Sequence, residues 1–127
     1  MKIDKLFGAI FALLSVIIGA FNSHAFKKIL PYTALESIDV GLRYMMYHGL
    51  ALLILSILSI EEKKWIAIFF IVGTIFFSFS IFLLSIQSIV NIELSWLGPI
   101  TPIGGCFLIF GWILLVYKFV KQKKISN

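Results

Sequence analysis

The sequence predicts an all-α protein, an integral membrane four-helix bundle with N and C termini cytoplasmic. Three observations carry that expectation. Four apolar stretches occupy approximately residues 6–25, 41–60, 65–87 and 99–119, each close to the roughly 20 residues a helix needs to cross a bilayer. Hydrophobic residues make up 61% of the 127-residue chain and charged residues only 13%, about half of the soluble norm of roughly 25%. Charge also falls at the joins between stretches. The run 65–92 carries none and is longer than an ordinary buried helix of a soluble domain. The four stretches leave no room for a second domain, so residues 1–127 form one unit.

The first stretch follows Lys2 and Lys5 and ends at Ser23-His24-Ala25, a pattern that resembles a signal peptide with a small-residue cleavage site. Its apolar run is long, however, and carries Gly8, Ala12, Ser15, Gly19 and Ser23 at close to four-residue spacing. Such a stripe suits close helix–helix packing, so the first helix is expected to be retained. In the link over residues 26–40, Pro31 stops any continuation of that helix. Thr33-Ala34-Leu35-Glu36 has capping-box spacing. The second helix therefore begins near Ala34, or breaks near Gly41 after a short interfacial turn. Glu61-Glu62-Lys63-Lys64 forms a tight charged hairpin. Gly73, Ser80 and Gln87 recur every seven residues in the third stretch, and Gly104 and Gly111 repeat the device in the fourth. These are packing seams first. Gly104-Gly105 after Pro102 is alternatively an unwound turn of the kind found at transporter sites. Cys106, the lone cysteine, is expected to be a small packing residue.

Charge sets the orientation. Four crossings put both termini and the middle hairpin on one side, with Lys2, Lys5, Lys63, Lys64, Lys118, Lys121, Lys123 and Lys124. The other side carries Lys27, Lys28 and Arg43. Eight against three places the termini in the cytoplasm by the positive-inside rule. Trp65 and Tyr117 fall at the inner interface and Trp96 at the outer one, as an aromatic belt requires.

Polar groups inside a bilayer cost free energy unless paired, so their placement carries the functional information. They gather at the outer ends of the stretches: Asn22, Ser23 and His24; Arg43, Tyr44, Tyr47 and His48; Gln87, Ser88 and Asn91; and Thr101. The candidate ligand-binding residues are Asn22, His24, Arg43, Tyr44, Tyr47, His48 and Gln87. Arg43 lies four residues after Asp39 and can pair with it while snorkelling to the headgroups. The alternative is that Arg43, Tyr47 and His48 face the bundle and bind an anionic headgroup, a quinone-like molecule or a transported ion. His24 and His48 suit a proton relay or metal ligation, yet no third ligand falls at recognisable spacing. Structural hydrogen bonds are the favoured role, with no metal and no cofactor. No nucleophile motif, P-loop or pair of buried carboxylates is present, so an enzyme is not expected. The basic residues do not alternate with aromatics, so nucleic acid is not expected either.

Four segments resemble a known family. The first is Gly19-Ala20-Phe21-Asn22-Ser23-His24-Ala25-Phe26-Lys27, and the second runs from Gly41-Leu42-Arg43-Tyr44 through Tyr47-His48-Gly49 to Leu52. Ser78-Phe79-Ser80-Ile81-Phe82-Leu83-Leu84-Ser85 and Thr101-Pro102-Ile103-Gly104-Gly105, followed by Gly111-Trp112, are the third and fourth. Together they resemble the small bacterial integral membrane proteins called domain of unknown function 423, similar to the transmembrane protein 256 of animals. Asn22-Ser23 departs from the family's usual Gly-Ala before the histidine, and His24 itself is kept. The resemblance implies a four-helix, multi-pass protein of the bacterial cell (inner) membrane and no catalytic role. The expectation is thus a small membrane protein whose polar outer-leaflet site binds a lipid headgroup, small molecule or membrane partner. The alternative is a small oligomeric transporter or channel, since four short helices enclose little volume alone. The partners expected are the lipid bilayer, a lipid or small-molecule ligand, and further copies of the chain as a homo-oligomer.

Overall fold

A computed structural model describes residues 3–126 of the chain. Helix α1 (Ile3–Ser23) is followed by a short α2 (Ala25–Ile29) and the long α3 (Tyr32–Ile57). Then come α4 (Lys64–Thr74), a π-helical turn (Ile75–Phe79) and α5 (Ser80–Val90), which run on as one rod, before a 3-10 turn (Ser95–Leu97) and α6 (Ile100–Ser126). Among the described residues, four helices are long and apolar enough to span a membrane: Ile3–Ser23, Tyr32–Ile57, Lys64–Val90 and Ser95–Gln122. Four crossings return the chain to the side on which it started. Of the basic residues assigned to that side, Lys2 and the side chains of Lys123 and Lys124 lie outside the described residues.

The second span starts earlier than the apolar pattern predicts. α1 breaks at His24 (φ −120°, ψ −75°), and Leu30 and Pro31 are extended. Pro31 then acts as the N-cap of α3, with no side-chain capping bond. Thr33 already lies inside the first turn, so its hydroxyl cannot cap, and the expected Thr33–Glu36 box does not form. Nor does the helix break at Gly41, which is buried in α3 beneath the Phe82 ring. α3 has 26 residues and is about 39 Å long at 1.5 Å per residue, longer than the ~30 Å hydrocarbon layer. At its far end Lys63 Nζ donates to the carbonyls of Leu55, Ser56 and Leu58 at 2.9, 3.1 and 2.7 Å. Carbonyls that a helix C-terminus leaves open are thereby satisfied.

Small residues set the packing. α1 lies along α3, and a Cβ on Gly8 would stand 2.8 Å from the Gly49 carbonyl oxygen, while one on Gly49 would stand 2.9 Å from that of Gly8. The third span packs on α6 in the same way: a Cβ on Gly73 would meet the Leu108 backbone nitrogen at 2.9 Å, and one on Gly104 would collide with the Phe77 backbone nitrogen. Phe77 belongs to the π turn, whose extra residue shifts the backbone locally. α6 passes through Gly104 and Gly105 without unwinding, so the transporter-type turn is absent and Gly104 serves the packing seam. Buried hydroxyls tie the helices further. Ser15 Oγ donates to its own helix at Phe11 O (2.8 Å) and lies 3.5 Å from Leu42 O, Ser78 Oγ donates to Gly41 O (2.8 Å), and Ser80 Oγ and Thr101 Oγ1 share a hydrogen bond of 2.6 Å. Phe11, Met45, Leu52, Ile66, Phe70 and Leu108 fill the interior between these contacts. Cys106 is exposed rather than packed, because Gly104 and Leu108 take the inward face of α6.

Adjacent glycines of α6 provide a test. A Cβ at Gly105 would meet only ring carbons of Phe77, at 3.7 and 3.9 Å, which is ordinary contact. Gly104→Ala is expected to destabilise the bundle by about 1–3 kcal/mol, the usual cost of overpacking, and Gly105→Ala to leave it unchanged. Reversible unfolding in mixed lipid–SDS micelles measures both.

Candidate functional site

The expected polar cluster is resolved into two sites built around Arg43 and His48, with Gln87, Ser88 and Thr101 lining a separate cavity of about 490 Å³ and His24 apart from all three. The first site is a cleft of about 710 Å³ between the end of α1, α2 and the start of α3, lined by Asn22, Lys27, Tyr32, Glu36, Asp39 and Arg43 among others. Asn22 is buried near the end of α1, and its Nδ2 donates to Leu35 O (3.2 Å) and Asp39 Oδ1 (2.9 Å). The opposite amide orientation would set Oδ1 against two acceptors, so the network fixes this one. Asn22 Oδ1 is left buried with no hydrogen-bond donor. The expected Asp39–Arg43 pair is not formed. Among the described residues the one ion pair joins Lys118 to Glu62 at 3.5 Å. Packing of α1 on α3 brings the Asn22 amide to Asp39 instead, and Arg43 stands exposed. The cleft thus holds two cations, Lys27 and Arg43, and two carboxylates, Glu36 and Asp39, that do not neutralise one another in pairs.

The second site surrounds His48. This residue is only 5% exposed and lies about 24 Å along α3 from Tyr32 and about 14 Å from Ile57, by the helical rise. It belongs to the interior of the span rather than to its outer end. The earlier start of α3 accounts for the difference. His48 Nδ1 lies 2.6 Å from the Tyr44 carbonyl, and the Trp112 indole Nε1–H donates to His48 Nε2 at 2.9 Å. A carbonyl only accepts and an indole only donates, so the two bonds require the neutral ring with its proton on Nδ1. His48 also packs edge-on to Phe70, with ring centres 5.2 Å apart. On the outward side, Tyr44, Tyr47, His48, Phe77, Gly105 and Trp112 line a pocket of about 610 Å³, together with Leu108 and Ile109.

Gln87 and His24 join neither site. Gln87 Oε1 accepts from the Leu94 backbone N–H at 3.0 Å and so closes the link after α5. In the same link Glu93 Oε1 accepts from Ser95 N at 3.0 Å, and the Ser95 hydroxyl and backbone N–H hold the Glu93 carboxyl below the usual carboxylate range. His24 is exposed at the break between α1 and α2. Among the described residues no three His, Cys, Asp or Glu side chains converge as a metal site. Trp112 is the residue that sequence reasoning missed as a partner. Its signal was present: Trp65 and Trp96 sit at span ends, whereas Trp112 is well inside the fourth apolar stretch, where an indole N–H needs a partner.

These features define a multi-pass, all-α membrane bundle whose outward apolar faces contact the lipid bilayer. The chain belongs to the family described as protein of unknown function DUF423, whose model matches residues 18–105. It is 36% identical to the UPF0382 membrane protein YwdK of Bacillus subtilis (strain 168), an alignment that covers 95% of this chain and 98% of the relative. It is 34% identical to a UPF0382 membrane protein of Haemophilus influenzae (87% of each chain), and 28% identical to the UPF0382 inner membrane protein YgdD of Escherichia coli (strain K12), with 94% and 90% covered. The names and the four spans agree with a multi-pass protein of the bacterial cell membrane. No solved structure matches the chain.

The His48–Trp112 bond has a measurable weight. Side-chain hydrogen bonds between membrane helices average about 0.6 kcal/mol in double-mutant cycles and reach about 1.7. A cycle of His48→Phe and Trp112→Phe is expected to give a coupling at the upper end of that range, since both ring nitrogens of His48 are engaged. Unfolding in mixed micelles measures it, and additive effects would show that the bond contributes nothing.

Proposed function

We propose that this protein is a non-enzymatic, lipid-binding membrane protein that holds a zwitterionic phospholipid headgroup in the cleft at the start of α3. We further propose that both termini are cytoplasmic and that the cleft therefore faces the outer leaflet. The observation that carries the reading is the charge pattern: Lys27 and Arg43 share one cleft with Glu36 and Asp39, without an ion pair between them. A phosphate beside the cations and an ammonium beside the carboxylates would complement all four. Arginine presents a planar fork of donors suited to phosphate oxygens. Binding of this kind needs no nucleophile and no cofactor.

Native mass spectrometry of the detergent-extracted protein tests the reading, with phosphatidylethanolamine and phosphatidylglycerol supplied in equal amounts. The unmodified chain is expected to retain phosphatidylethanolamine preferentially. Loss of charge-assisted bonds worth about 1.5–3 kcal/mol should weaken retention by roughly 10- to 100-fold in Arg43→Ala. Equal retention by both proteins would sink the proposal. For the orientation, a C-terminal fluorescent-protein fusion is expected to fluoresce and a C-terminal alkaline phosphatase fusion to be inactive. The reverse pattern would turn the bundle over.

A further inference from the structure

The pocket beside His48 is independent of the headgroup cleft and lies on other faces of the bundle. Its walls come from α3, the π turn and α6. Four features of it have no explanation in packing. First, its volume of about 610 Å³ falls within the ~300–1,000 Å³ typical of small-molecule sites. Second, it opens sideways towards lipid, since Tyr44, Tyr47, Ile109 and Trp112 are all exposed there. Third, the hydroxyls of Tyr44 and Tyr47 make no hydrogen bond among the described residues. Both residues sit near the middle of α3, about 18 and 22 Å along it from Tyr32 by the helical rise. Fourth, Gly105 lines the pocket although the helix packing does not require a glycine there. An added Cβ would meet nothing closer than 3.7 Å. The backbone contacts at Gly73 and Gly104 tolerate no side chain, whereas at Gly105 the missing side chain only leaves the pocket open.

The rest of the lining points to the occupant. Tyr44 stacks on Phe77, with ring centres 4.9 Å apart and planes at 19°, and Trp112 stands beyond His48 at 5.8 Å between ring centres. Aromatic walls favour a ring that offers a face or an edge to them. His48 has no ring nitrogen to spare for a ligand, because one is bonded to Tyr44 O and the other to the Trp112 indole. The free donors are the two tyrosine hydroxyls, which call for acceptor oxygens. The occupant must also arrive through the bilayer.

We propose that the pocket formed by Tyr44, Tyr47, Phe77, Gly105 and Trp112 is a lateral binding site for a membrane-soluble quinone. The quinone ring lies against the aromatic walls, its carbonyl oxygens accept hydrogen bonds from the tyrosine hydroxyls, and its tail leaves towards lipid. The proposal concerns binding alone and involves no electron transfer.

The test uses the fluorescence of Trp112. The full chain carrying Trp65→Phe and Trp96→Phe is placed in nanodiscs of phosphatidylethanolamine and phosphatidylglycerol and titrated with a short-tailed ubiquinone. Quenching is expected to saturate. Gly105→Leu, which fills the pocket, should weaken the half-saturation at least about tenfold, and Gly105→Ala should change it by less than about twofold. Tyr44→Phe with Tyr47→Phe should weaken it by about fivefold or more, at roughly 0.5–1.5 kcal/mol for each hydrogen bond. Circular dichroism and gel filtration establish that each variant is folded. Quenching that stays linear, or that saturates equally in Gly105→Leu, would overturn the site. If Gly105→Leu does not fold, the tyrosine variant decides, and unchanged affinity there overturns the proposal. A phospholipid retained by the unmodified chain and lost from Gly105→Leu, with no saturable quenching, would overturn the quinone as occupant.

Discussion

Apolar side chains gain little by leaving lipid for a protein interior, so a membrane bundle cannot rely on the hydrophobic effect to hold its helices together. Close backbone approach supplies what burial does not. In this chain two contacts provide it, Gly8 against Gly49 and Gly73 with Gly104 against the backbones of α6 and the π turn. Dispersion at such separations is lost quickly with distance, and a methyl group at any of these glycines would overlap its neighbour and force the helices to shift. The hydroxyls of Ser15 and Ser80 lie along the same seams, and that of Ser78 joins the π turn to α3. Inside the bilayer a serine with no partner would be a liability, and each of these finds one on its own helix or across the contact.

The glycine contacts also decide where function can sit. Where backbones touch, no cavity remains. The two cavities of interest flank the seams. One lies at the end of the α1–α3 seam, where the chain turns through α2 and charged residues enter. The other lies on the outer edge of the seam between the third span and α6, where the π turn carries Phe77 and Gly105 leaves the wall thin. Gly104 and Gly105 are neighbours in sequence with opposite tasks. One closes the bundle, and the other keeps a space open.

Much of the fold was legible in the sequence, because spans are written as long apolar runs and seams as small residues at helical spacing. The stripe Gly8, Ala12, Ser15 was visible before its partner was, and so were Gly73 and Gly104. The start of α3 was legible to within two residues, since Pro31 put it near Ala34 and it falls at Tyr32, but the break at Gly41 stayed open beside it. Hydropathy locates the bilayer rather than the helix, and Tyr32 to Val40 is polar enough to pass for a loop. Pro31 supplied the true start without any side-chain cap. For the candidate site, the pairing of Asp39 with Asn22 instead of Arg43 depended on how α1 rotates against α3, which no spacing within one helix reveals. Nor does spacing within α3 show Trp112 as the partner of His48, because the two lie 64 residues apart and meet only through packing.

The displaced start of α3 changes the chemistry that each residue can perform. Had the helix begun at Gly41, Tyr47 and His48 would lie within two turns of the headgroups, where water and phosphate compete for their hydrogen bonds. Beginning at Tyr32 instead places them about 22 and 24 Å along α3 by the helical rise, near its middle. At that depth a histidine needs internal partners, and His48 has two. Tyr44 and Tyr47 stay on the outer side of the same helix, and their hydroxyls have no hydrogen-bond partner among the described residues. Arg43, one residue before Tyr44, belongs instead to the charged cleft. A single continuous helix thus lines a charged cleft on one face and a ring-lined pocket on another. The two sites are separated by the face of the helix rather than by domain.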